Sequence, residues 1–187
     1  LDARRTSPSR RPLLMVLVVG ETARAANFSL GGYPRHTNPE LARRNVFYYT
    51  DVTSCGTATA MSLPCMFSEL PRAEFRLGKA RRRDSVLDIL QRAGLAVRWI
   101  ENQSGCKGVC DRVPHEMAEP YFPDACERGE CLDETLLHAL DAQLGQVTTD
   151  TLLVLHAMGS HGPAYHRRVP ASHAPFQPTC ATHRIET

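Results

Sequence analysis

Residues 13–22 read LLMVLVVGET, seven apolar residues followed by Gly20, Glu21 and Thr22. The run is apolar at odd and even positions alike and is too short for a typical helix. It therefore predicts a strand of a parallel sheet, buried on both faces. Two more units follow the same plan. Asp84 or Ser85 can cap a helix carrying Val86, Leu87, Leu90 and Ala93, and Gly94 is placed to end it. The strand LAVRWI (95–100) comes next and runs into Glu101, Asn102, Gln103, Ser104 and Gly105. A helix over 132–144, with Leu132, Leu136, Leu137, Leu140 and Leu144 as its apolar face, precedes the strand TLLVLHAM (151–158). That strand ends in Gly159-Ser160-His161-Gly162-Pro163. Helices alternating with apolar strands predict an α/β fold with a mostly parallel central sheet. In open sheets of this kind ligands bind beyond the carboxyl ends of the strands. Glu21, the 101–107 segment and His161 are all delivered to that end.

The 187 residues carry 22 Lys and Arg against 20 Asp and Glu, with 42% hydrophobic residues. A domain of this size buries about 70% of its unfolded surface, so one core suffices. The near-neutral balance argues against a dedicated nucleic-acid binder. Leu13 to Val19 is the longest apolar run, far short of the roughly 20 residues that cross a bilayer as a helix. Residues 1–12 (LDARRTSPSRRP) hold four Arg and two Pro and read as a basic linker. Six of the seven cysteines fall in close pairs, Cys55 with Cys65, Cys106 with Cys110 and Cys126 with Cys131. Short spacings among Gly and Pro suit disulfide-closed loops in an oxidising compartment. A structural zinc site on Cys106, Cys110, Cys126 and Cys131 is the alternative, against which stands the absence of two-residue knuckle spacing. Cys180 is left over. With no signal peptide before Leu1 and a polar stretch at Thr187, the chain reads as a piece of something longer.

Three segments can carry chemistry. Glu21 after an apolar strand is costly to bury unless hydrogen-bonded, paired or bound to metal, and hard oxygen donors suit zinc or a similar divalent ion. Residues 53–62 (TSCGTATAMS) are dense in small hydroxyls, which fits hydroxyl caps at a helix start or a nucleophile at an anion-stabilising helix N-terminus. A metal there would help form an alkoxide, and a Cys55–Cys65 loop would hold the hydroxyl still. The residues alone do not choose between Thr57 and Thr59. Lys107 lies within a Cys-x-x-x-Cys loop, where a fixed cation can hold a phosphate. His161 stands out among eight histidines by its place after a strand, whereas His156, inside a strand, reads as a hydrogen-bonded core histidine.

Four stretches carry a family resemblance: VVGETARAANFSLGGYPRHTNP (18–39), SCGTATAMSLPCMFS (54–68), NQSGCKGVCDRVP (102–114) and LHAMGSHGP (155–163). Together they resemble the phosphoethanolamine transferases that modify lipid A, including the mobile colistin-resistance enzymes. The resemblance implies an alkaline phosphatase/sulfatase-type catalytic domain at the periplasmic face of the bacterial inner membrane, anchored by an N-terminal membrane region absent from these residues. It implies zinc, phosphatidylethanolamine as donor and lipid A as acceptor, and transfer through a phosphothreonine. Residue by residue, Glu21 matches a zinc ligand, and Thr59 matches the nucleophile, itself a zinc ligand. Thr57, Lys107 and His161 match positions lining the phosphoethanolamine site, and Gln103 stands where some members have Asn. A monomer is expected.

The family completes its zinc site with an Asp-His pair further downstream, and residues 162–187 contain no aspartate. The resemblance thus implies that residues 13–187 are the N-terminal part of the catalytic domain, inactive alone and weak in zinc binding. It also implies that Cys180 pairs with a cysteine beyond them. Three other functions fit the same fold: transfer to another envelope glycan, a phosphatase- or sulfatase-like hydrolase, and a non-catalytic envelope binding module. The sulfatase Cys/Ser-x-Pro-x-Arg context is absent around Cys55.

Overall fold

A computed structural model describes residues 3–4, 11–178 and 182. Most of the basic segment expected over 1–12, and Cys180, lie outside the described residues. In chain order the elements are β1 (Leu14–Val19), α1 (Pro39–Ala42), α2 (Thr59–Met66), α3 (Leu77–Ala80), α4 (Val86–Arg92), β2 (Ala96–Glu101), β3 (His115–Met117), β4 (Cys126–Glu127), β5 (Glu130–Cys131), α5 (Glu134–Leu144) and β6 (Thr151–His156). Strands β1, β6, β2 and β3 lie in that order in one sheet, every pair parallel. The register aligns Val19, His156 and Glu101 across the sheet, so three strand ends and the residues after them meet at one edge.

The α4 unit forms as its sequence directs. Ser85 accepts the Asp88 amide, and the Asp88 carboxylate accepts the Ser85 amide in return, which makes a capping box. Gly94, at φ +92°, turns the chain out of the helix as only glycine does without strain. On the face covered by α2 and α4, Leu63, Phe67, Leu87, Val97, Trp99, Leu152 and Val154 form the larger core cluster. On the face toward α5, Ile100, Leu136, Ala139, Leu153 and Leu155 form the second. Each such side chain contributes about 1.5–3 kcal/mol by leaving water.

Two expectations need correction. The first strand forms, but it is an edge strand, and Met15, Val16, Leu17 and Val18 are exposed instead of buried. An apolar strand is buried only when neighbours cover it, and among the described residues β1 pairs on one side alone, with β6. In α5 the buried face is Thr135, Leu136, Ala139 and Gln143, whereas Leu137 and Leu144 point outward. Positions 136, 139, 140 and 143 make the helical stripe, and Leu137 and Leu144 lie one step of about 100° away from it. The short β3 and the β4–β5 hairpin were not signalled by apolar periodicity. Arg128 and Gly129, both at positive φ, make the hairpin's turn.

Disulfides join Cys55 to Cys65, Cys106 to Cys110 and Cys126 to Cys131, so none of these sulfurs is available as a zinc thiolate. The first ties the segment before α2 onto α2 itself, and the third closes the β4–β5 hairpin.

Candidate active site

β1 delivers Glu21 to the carboxyl edge of the sheet, and α2 points its first residue at it. Thr59 Oγ1 donates to Glu21 Oε2 at 2.8 Å, and Thr22 Oγ1 donates to Glu21 Oε1 at 2.8 Å. Gln103 Nε2 approaches the same Oε2 at 3.4 Å from the loop after β2. Burial pushes the Glu21 carboxyl up, but the Thr22 and Thr59 hydroxyls and the fields of His161 and His156 outweigh it, and its pKa lies below the ordinary carboxylate value. Glu21 is thus an ionised carboxylate fixed against a hydroxyl.

The hydroxyl-rich segment does not cap α2. Its N-cap is Ala58, without a side-chain cap, and Thr59 is the first helical residue. The amides of Thr59 and Ala60 have no acceptor among the described residues, so the helix start presents two N–H groups and the positive end of its dipole beside Thr59. Structure thereby separates the two threonines. Thr59 joins Glu21, whereas Thr57 is exposed and makes no hydrogen bond among the described residues.

The other expected residues surround this pair unequally. His161 is exposed, bonds the Gly162 carbonyl through Nδ1 at 2.8 Å, and reaches Glu21 only through its field. Lys107, at φ +55°, donates to the Ser104 carbonyl at 2.8 Å and to Ser104 Oγ at 2.9 Å, and touches neither Glu21 nor Thr59. Gln103 is 5% exposed and its carbonyl oxygen accepts from both the amide and the hydroxyl of Ser104, so its polar atoms act inside the protein.

Several residues that position the site escaped sequence reasoning. Asp133 accepts the amides of Met158 at 2.7 Å and Gly159 at 2.8 Å, and the side-chain amide of Asn102 at 2.8 Å. It locks the loop after β6 to the loop after β2. Gly159, at φ +55°, lies so close to Glu21 that a Cβ would sit 2.3 Å from the Glu21 carbonyl oxygen. Beneath them Glu101 accepts from Trp99 Nε1 at 2.8 Å, the Gln103 amide at 2.7 Å and His156 Nδ1. His156 is the buried core histidine its strand position predicted, and its Nε2 has no partner among the described residues.

Residues 14–186 match the protein family described as Sulfatase. The chain belongs to the sulfatase family. The resemblance carried by the four stretches also holds. Phosphoethanolamine transferase EptA of Escherichia coli K12 is 51% identical over 179 residues, covering 95% of this chain and 33% of that protein. Phosphatidylethanolamine transferase Mcr-1 of Escherichia coli is 42% identical over 183 residues, covering 91% of this chain and 33% of that protein. The crystal structure of the soluble domain of lipooligosaccharide phosphoethanolamine transferase A from Neisseria meningitidis matches with a TM-score of 0.90 at 48% identity. That match covers 98% of this chain and 55% of the other. This sulfatase-family chain therefore spans about a third of the length of the curated relatives. No helix among its described residues is long and apolar enough to cross a membrane.

As a metal site, Glu21 and Thr59 offer two hard oxygens 2.8 Å apart, one of them ionised, which fits a small divalent cation. Among the described residues the one cluster of three ligand-type side chains is Cys106, Cys110 and Asp111, and its sulfurs are joined to each other.

Proposed function

We propose that the chain is the N-terminal part of a periplasmic catalytic domain that transfers phosphoethanolamine from phosphatidylethanolamine to a lipid A phosphate. The observation that carries this reading is the Thr59–Glu21 hydrogen bond at the start of α2. Thr59 Oγ1 attacks the donor phosphorus, the phosphorus–oxygen bond to diacylglycerol breaks, and the threonine proton ends on the diacylglycerol hydroxyl. A lipid A phosphate oxygen then attacks the phosphorus of the phosphoethanolamine-bearing threonine, the Thr59 Oγ1–phosphorus bond breaks, and the proton lost from that lipid A phosphate hydroxyl ends on Thr59 Oγ1. The free amides at the start of α2 stabilise charge on the transferring phosphoryl group. Gln103 holds the Glu21 carboxylate in place. Lys107, His161 and Thr57 line the approach of the phosphoethanolamine group and move onto it when it binds. Zinc held by Glu21 and Thr59 would lower the hydroxyl pKa and neutralise developing charge.

The fragment's incompleteness is part of the proposal. It is supported by the 55% coverage of the matched soluble domain and by the uncovered apolar faces of β1. In the full-length protein Thr59→Ala is expected to abolish transfer to lipid A, measured by mass spectrometry of extracted lipid, and to remove the phosphorylated peptide containing residue 59. Full transfer by that variant overturns the nucleophile assignment. Residues 1–187 alone are expected to show no turnover and no tight stoichiometric zinc by calorimetry.

A further inference from the structure

Between α2 and α4 the chain makes a closed excursion. Ser68 bridges Ser85 in antiparallel fashion, and the Val86 amide donates to the Phe67 carbonyl at 2.9 Å, so residues 69–84 leave and return at one neck. Leu70 and Phe75 of this loop are buried. Turn bonds from Glu74 and Phe75 to Pro71, and from Arg81 to Leu77, hold its backbone, as in compact surface loops that carry function. Its rim carries Arg72, Arg76, Lys79, Arg81, Arg82 and Arg83 against Glu69, Glu74 and Asp84. That excess of three positive charges is larger than the +2 of the whole chain.

The pairing within the loop is uneven. Lys79 faces Glu74 at 3.9 Å, Arg83 pairs with Glu69, and Arg76 donates to the carbonyls of Ala73 and Phe75. Arg72, Arg81 and Arg82 are exposed and have no carboxylate partner among the described residues. At the neck the rim continues into a cavity of about 400 Å³ lined by Arg81, Arg83, Lys107 and Arg112 together with Asp84 and Asp111. Arg112 is committed to Asp88, and Lys107 to Ser104. The loop hangs from the far end of α2, which at 1.5 Å per residue puts its neck about 12 Å from Thr59.

We infer that the 69–84 loop is a docking surface for an anionic phospholipid bilayer, with Arg72, Arg81 and Arg82 as its contacts. Unpaired guanidinia present planar forks that match phosphate oxygens and break no existing ion pair on meeting them. Juxtaposition with the nucleophile, which would bring the membrane's lipids to Thr59, rests on the function proposed above; the binding itself does not.

Sedimentation with vesicles tests it, using phosphatidylcholine alone and phosphatidylcholine with phosphatidylglycerol. The chain is expected to bind only the anionic vesicles and to be released by high salt. Each basic residue at an anionic leaflet contributes about fivefold, so the triple variant Arg72→Gln/Arg81→Gln/Arg82→Gln should lose about 100-fold in partitioning. A control with the same charge change elsewhere, Arg43→Gln/Arg44→Gln/Arg128→Gln, should lose far less, and Thr59→Ala should bind as the unmodified chain does. Matching thermal transitions establish that each variant is folded. Equal losses in the two triple variants overturn the inference, as does equal binding to neutral vesicles. So does displacement by inorganic phosphate at constant ionic strength, which would make the surface a small-anion site.

Discussion

Strands β1 and β6 lie side by side in register from Leu14 opposite Thr151 to Val19 opposite His156, yet their environments are opposite. Leu152 to His156 are at most 3% exposed, while Val18, opposite Leu155, is 64% exposed. Their sequences, LMVLVV and TLLVLH, do not account for this. β6 has β1 on one edge, β2 on the other, and a core cluster on each face; among the described residues β1 pairs with β6 alone. The two converge only at their carboxyl ends, where Val19 is 4% exposed and His156 is fully buried. The candidate site is thus built where the less protected strand becomes as well packed as its neighbour.

That junction should be the most sensitive point. Gly159→Ala places a methyl against the Glu21 backbone at a positive φ and is expected to cost about 3 to 4 kcal/mol in chemical denaturation. Gly145→Ala, with open space and φ −70° at the end of α5, should cost nothing or gain up to about 0.5 kcal/mol. Similar costs for the two would mean that the loop after β6 yields easily and does not fix Glu21.

Matched deletions compare the strands directly. Leu153→Ala in β6, where the side chain is 1% exposed, is expected to lose about 3 kcal/mol, and Leu17→Ala in β1, at 38%, about 1 kcal/mol or less. Equal losses would show that β1 is covered in solution by something absent from the described residues.

The layer over the α2 and α4 face can be loosened by acid. Arg112 beside Asp88 holds its carboxyl down to about 2, against burial and with help from the Ser85 bonds. A folded pKa below the unfolded value means the stability is complete above about pH 4 and disappears as pH falls toward 2. The loss should be about 2 kcal/mol, read as the pH dependence of denaturation, and absent in Asp88→Asn.

Much of this was legible because the signals are local. Ser85, Asp88 and Gly94 fix the ends of α4 by backbone hydrogen bonding, and an apolar run ending in Gly-Glu identifies a strand that leads to a site. The meeting of Glu21 with Gln103 and the 159–161 loop followed from three strand ends sharing an edge. What was not legible depends on distant partners. The exposure of β1 cannot be read from periodicity, since it is decided by what lies opposite. Asp133 gave no sign because it acts across loops, on groups remote in sequence. The preference for Thr59 over Thr57 as nucleophile came from a resemblance; of the two, Thr59 is the one that hydrogen-bonds Glu21.

The smallest expected effect probes β1 most directly. Val18→Ser removes an apolar side chain that is 64% exposed, so within residues 1–187 it should change stability by no more than about 0.5 kcal/mol. A valine left in water gains little from the fold, and serine satisfies its hydroxyl with solvent. In a longer protein whose remaining residues cover β1, the same change would bury a hydroxyl and forfeit apolar contact, at a cost of about 2 kcal/mol. The difference between the two measurements isolates the cover from the strand. A loss near 2 kcal/mol in both contexts would mean that the isolated chain covers β1 by self-association, which dilution during the same denaturation experiment would reveal.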